Sequence, residues 1–92
     1  MASNEFKVGD VVIAMHLNKF NGFDWFNGKW FIVVESTALI SVTPLDPEIK
    51  ESWARLCPSG VGNFGAYKFK LDVFMTAARK AAERENKSSL DL

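Results

Sequence analysis

With 92 residues the chain is long enough for one domain and too short for two, and a domain of this size buries well over half of the surface its unfolded chain exposes. Forty-eight per cent of the residues are apolar and 13% aromatic, so a core can form without disulfide or metal staples; the single Cys57 excludes an internal bridge. Eleven basic residues balance eleven acidic ones, which excludes a strong global attraction to nucleic acid and removes the charge repulsion that keeps copies apart, favouring self-association or a partner-bound life.

Residues 1–4 are small and polar and are expected to fray. Lys7-Val8-Gly9-Asp10 reads as a turn feeding a strand over residues 11–17, with Val11, Ile13, Met15 and Leu17 directed to the core. Next comes the strongest local signal in the chain, Asn27-Gly28 between two aromatic runs. It predicts a type I′ hairpin in which Trp25 faces Trp30 and Phe23 faces Ile32, similar in its six central residues to designed tryptophan-zipper hairpins. A further β-branched strand follows over residues 39–43.

Asp46-Pro47-Glu48 supplies an N-cap acceptor, a proline for the first helical position and an acid at the positive end of the dipole. The helix it starts places Ile49, Trp53, Leu56 and Cys57 on one face, and Cys57-Pro58-Ser59-Gly60 stops it. After a glycine-rich loop, residues 67–71 alternate as a fifth strand with Lys68 and Lys70 outward. Asp72 caps a last helix whose stripe of Phe74, Ala77, Ala78 and Ala81 is expected to dock on the sheet. Docking should end near Ala82, with Glu83 and Lys87 a weak exposed pair, and residues 86–92 form a polar tail. The chain is read as one domain over residues 1–92 with an ordered core over about 6–85.

The element order, together with Lys7-Val8-Gly9-Asp10-Val11-Val12, resembles SH3-like small barrels with a KOW-type opening, found among ribosomal and transcription-factor modules. That resemblance implies an α+β fold: a curled five-stranded antiparallel sheet, barrel-like, with an inserted helix and a C-terminal helix. It covers residues 6–43 and 67–71. It implies binding of peptides, modified tails, RNA or protein surfaces. In type, a small chain with few motifs also resembles phage-encoded accessory proteins that bind and redirect a larger host protein.

The stretch Gly60-Val61-Gly62-Asn63-Phe64-Gly65 matches G-x-G-x-x-G, but a dinucleotide site needs a strand before it and a helix after it, and the order here is reversed. A kinase-type loop would need a catalytic loop and a metal-binding aspartate, for which there is neither room nor matching residues. One histidine, His16, and one thiol, Cys57, are too few for a metal cluster and read as surface and core residues rather than a catalytic pair. No spacing of acids names a general acid and base, so no enzyme and no cofactor is expected.

The hairpin has a second aromatic face, carrying Phe26, Phe31 and Val33 beside Lys29. If the last helix covers it no patch remains; if the helix packs elsewhere, the patch is of the kind that binds partners. Phe26, Phe31, Lys29 and Phe64 are therefore the candidate partner-binding residues of a non-enzymatic protein that inhibits or adapts a larger protein. The alternative is a nucleic-acid-binding module using Lys68 and Lys70 with neighbouring rings. A lone thiol, no apolar leading segment and no long apolar run place either version in the cytoplasm, without a membrane partner.

Overall fold

The computed structural model describes residues 5–90, with the side chains of residues 20, 21 and 85–90 outside the description. The frayed start expected for residues 1–4, the exposed pair expected at Lys87 and the last two residues of the tail fall outside the described groups.

The architecture is α+β: five antiparallel strands, β1 (Val11–Ala14), β2 (Trp30–Ser36), β3 (Ile40–Pro44), β4 (Gly62–Phe64) and β5 (Phe69–Leu71), with two helices, α1 (Lys50–Leu56) and α2 (Val73–Leu90). The strand order is β4-β3-β2-β1-β5, with β4 and β5 as the two edges of an open sheet.

The turn at Lys7 to Asp10 forms as its residues dictate. Gly9 sits at φ +95°, the Asp10 N–H donates to the Lys7 carbonyl, and the Asp10 carboxylate accepts from the Lys7 N–H at 2.9 Å. The Asp46 carboxylate caps its helix by accepting from the Glu48 N–H at 2.9 Å. A 3-10 turn over Pro47–Ile49 leads into α1, and Ile49 and Trp53 are buried with Leu56 and Cys57 packed beside them.

The expected hairpin around Asn27-Gly28 does not form. Residues Phe20–Phe26 make a 3-10 helix, and Asn27 (φ −60°, ψ 136°) with Gly28 (φ +86°) makes a type II turn closed by the Lys29 N–H on the Phe26 carbonyl. The cause is long-range pairing. The Asn27 side chain accepts from the Leu17 N–H at 2.9 Å and donates to its carbonyl at 3.3 Å, while the Gly28 N–H donates to Ala14 and the Ala14 N–H to Lys29. These bonds hand β2 to β1, with Val12 opposite Phe31 and Ile13 opposite Trp30. The two-strand ribbon instead appears next along the chain, between β2 and β3, with an irregularity at Val34. The strand lost at residues 23–26 is replaced by β4, inside the stretch expected to be a loop.

The parity of β1 is also reversed. Val12 and Ala14 enter the core cluster, and Met15 is exposed. Val11 is equally buried, but outside that cluster, where α2 packs on β1. When both faces of a strand are apolar and covered, alternation carries no information about which one is inside.

At the centre of the core stands Trp53, with ring centroids of Phe31 at 4.7 Å, Phe26 at 4.9 Å, Phe23 at 5.6 Å and Phe64 at 5.9 Å. Among the described residues its indole N–H has no hydrogen-bond partner. The edge-to-face geometry of the Phe23 and Phe26 contacts suits ring quadrupoles.

The last helix differs most from expectation. Asp72 caps it as anticipated, accepting from the Met75 N–H at 2.8 Å, but the helix runs on to Leu90 where a polar tail was expected from residue 86. Its docking face is not the alanine stripe. Thr76 is the buried residue, its hydroxyl accepting from the Val11 N–H at 2.8 Å and donating to the Val11 carbonyl at 3.2 Å, and Lys80 reaches Asp10 at 3.6 Å. Phe74, Ala77, Ala78 and Ala81 all face water. The radius of gyration, 14.0 Å, exceeds the roughly 12 Å of a compact chain of this length, as a protruding helix requires.

Candidate functional site

Phe26 and Phe31 cannot serve as partner anchors. Phe31 is fully buried and Phe26 nearly so, both against Trp53 on the core face of the sheet, beneath α1 rather than α2. Phe64 is half-buried and packs on Phe23, Trp53 and Phe69. Lys29 immediately precedes β2, its carbonyl accepting from the Ala14 N–H and its ammonium 5.2 Å from the Trp25 ring centroid. The two lysines are not partners on one strand: Lys68 belongs to the 3-10 turn Ala66–Lys68, with its ammonium 5.7 Å from the Tyr67 centroid, and only Lys70 lies on β5.

Burying Phe31 turns Trp30 outward, and the surface that remains is the second face of the sheet. Directly opposed residues in an antiparallel sheet share a face, so Lys70, Ile13 and Trp30 form one row across β5, β1 and β2. Val11, Ile32 and Thr43 form the next. Trp30 is 43% exposed, Met15 and Val34 are exposed, and Ile13 and Ile32 are half-covered. This is a contiguous apolar centre with a lysine at one side.

The indole is held in place. Its N–H donates to the Asp72 carboxylate at 3.0 Å, and the other oxygen of that carboxylate caps α2. The capping N–H of Met75 first, and the indole second, hold the Asp72 carboxyl below the usual aspartate range, because both bonds favour the charged form. One carboxylate thus ties the outward tryptophan to the start of the helix. Alternation along residues 23–33 identifies an aromatic surface but not its parity: Trp25 and Trp30 face outward, where Phe26 and Phe31 were expected.

Two clefts open among the described residues, the first between the 3-10 helix and α1. One, of about 290 Å³, is lined by Gly22, Trp25, Phe26, Ser52, Arg55 and Leu56, and carries the second outward tryptophan. The other, about 370 Å³, lies between β1 and the first turns of α2 beside Asp10, Thr76 and Lys80. Both are small and open beside the clefts that enclose drug-sized ligands.

The remaining chemistry-bearing residues stay apart. Burial pushes the Cys57 thiol up, away from the thiolate a nucleophile needs, and His16 is exposed beyond the end of β1. Among the described residues no three His, Cys, Asp or Glu side chains gather as a metal site. The glycine-rich stretch is explained by packing: a Cβ on Gly62 would stand 2.6 Å from Phe64 Cε2 and 2.9 Å from Trp53 Cζ2. None of the described helices is long and apolar enough to cross a membrane. Among known proteins no family model matches the chain, and neither a curated protein nor a solved structure is significantly similar to it.

Proposed function

We propose that this is a non-enzymatic binding protein of the cytoplasm, acting as an inhibitor or adaptor through protein–protein contact on the outer sheet face. The observation that carries the reading is Trp30: a large indole, half in water, fixed by Asp72 beside Ile13 in the row that ends at Lys70. Interfaces concentrate their energy in such pre-oriented aromatic anchors, because little side-chain entropy is lost when the partner arrives. The strand order, with a 3-10 turn between the last two strands, supports an SH3-like reading of the fold, a scaffold that hosts many binding functions. An accessory protein that redirects a larger host protein fits the same surface.

Nucleic-acid binding is the second reading, favoured by Lys70 in the row of Trp30 and by the exposed Tyr67 beside Lys68. Bases stack on rings while lysines track phosphate. Capture from a native extract with and without nuclease separates the two. Under the proposed reading one protein partner survives nuclease, and Trp30→Ser weakens its binding by about 30-fold. Loss of all binding on nuclease treatment, with steep salt dependence, overturns it in favour of nucleic acid.

A further inference from the structure

We infer that Asp72 is a positioning residue for Trp30 and makes the seating of that indole and the first turn of α2 one cooperative unit, so that a partner gripping Trp30 also steadies the helix. The consequence for a partner rests on the reading of Trp30 as an anchor; the coupling inside the chain does not.

Asp72 stands where β5 gives way to α2. Its N–H donates to the Val11 carbonyl at 2.9 Å, as in a continuing ladder, but its own carbonyl has turned into the helix and accepts from the Thr76 N–H at 3.0 Å. The Val11 N–H, deprived of that ladder acceptor, donates instead to the Thr76 hydroxyl at 2.8 Å. The backbone of Asp72 is thereby fixed from two sides, by the sheet and by the helix. On that base the carboxylate divides its oxygens: Oδ1 accepts from the Met75 N–H at 2.8 Å and Oδ2 from the Trp30 indole at 3.0 Å.

Both side-chain bonds need the same rotamer of Asp72 and the same ionised carboxylate. Once the helix cap has fixed that rotamer, the indole bond forms without a further loss of Asp72 side-chain freedom, and the reverse holds equally. This shared cost is the source of the coupling, and a coupling between two equilibria acts in both directions. A carboxylate suits the place where its amide does not. Asparagine caps a helix about as well as aspartate, but it has one acceptor oxygen, and its nitrogen brings a donor against the indole donor. Trp30, 43% exposed, has much of its ring in water, so its orientation depends on this bond more than that of a ring clamped in the core.

Proton–nitrogen correlation NMR of the free, full chain tests the coupling. The chain has three tryptophans, and the indole resonance lost in Trp30→Phe identifies that of Trp30. In Asp72→Asn this resonance is expected to move and its proton to exchange with water about 2- to 10-fold faster, the range of one net hydrogen bond, while those of Trp25 and Trp53 stay in place. In the other direction Trp30→Phe, which keeps an aromatic ring and removes the donor, should speed exchange of the Met75 and Thr76 amides by about 2- to 10-fold. In an Asp72→Asn background the same substitution should leave those amides unchanged, because the bond it removes is already gone. Equal effects of Trp30→Phe in the two backgrounds, or a Trp30 indole indifferent to Asp72→Asn, overturn the inference. Coupling without capture of any partner would count against the anchor alone, and capture without coupling against this inference alone.

Discussion

The reversal at Trp30 and Phe31 makes a quantitative prediction about two neighbouring aromatic residues. Phe31 is fully buried and meets Trp53 at 4.7 Å, Phe69 at 6.0 Å and Phe26 at 6.4 Å, so Phe31→Ala removes a ring from the middle of a close-packed cluster. The lost transfer energy and the cavity together cost about 3 to 5 kcal/mol, a large share of the total stability of a domain this size. Trp30→Ala instead removes a half-exposed indole and one exposed hydrogen bond to Asp72. That change costs about 1 to 2 kcal/mol, because water already solvates much of the ring and replaces the lost bond. Thermal unfolding followed by far-UV circular dichroism should therefore show a fall on the order of 15 to 30 °C for Phe31→Ala, against about 5 to 12 °C for Trp30→Ala. Partner binding should show the opposite ranking, falling with Trp30→Ala and surviving Phe31→Ala below its melting temperature. If the two variants melt together, or if Trp30→Ala is the less stable, the assignment of faces is wrong.

Gly62→Ala should destabilise by about 1 to 3 kcal/mol in urea titrations, because its methyl has to displace the Trp53 and Phe64 rings; a change within a few tenths would mean that the contact relaxes freely. Asp72 is charged more readily in the folded chain than in the unfolded one, so its contribution is fully present above the ordinary aspartate value near 3.9 and is lost as pH falls through its lower folded value. Melting temperatures of the parent should accordingly drop more steeply than those of Asp72→Asn on acidification below about pH 4, and parallel curves would refute the role of the carboxylate as cap and indole acceptor.

Features whose causes lie within a few residues were legible in advance. The Lys7 to Asp10 turn, the Asp46 cap, the buried face of Ile49 and Trp53, and the Asp72 cap each depend on one side chain and the backbone next to it. Asn27-Gly28 was legible as a turn and misread as a hairpin. Its local chemistry permits both, and the choice was made by Leu17, ten residues away, whose backbone bonds to the Asn27 side chain. The choice of outward-facing aromatic residues failed for a related reason. Residues 23–33 are aromatic or aliphatic at nearly every position, so a shift of one residue exchanges Trp30 for Phe31 without disturbing the pattern.

By itself the sequence determined that strands and helices are mixed, where the capped helices begin, and that an aromatic surplus around residue 30 would exceed what one core face can hold. Tertiary structure alone decided which rings of that surplus go inside. Trp53 offers a pocket that only one parity of β2 can fill, and the polar fastening of Thr76 and Lys80 turns α2 so that its apolar side faces water. Propensity and periodicity describe a segment and its own faces, whereas the inside of a protein is defined by the partners that other segments bring to it.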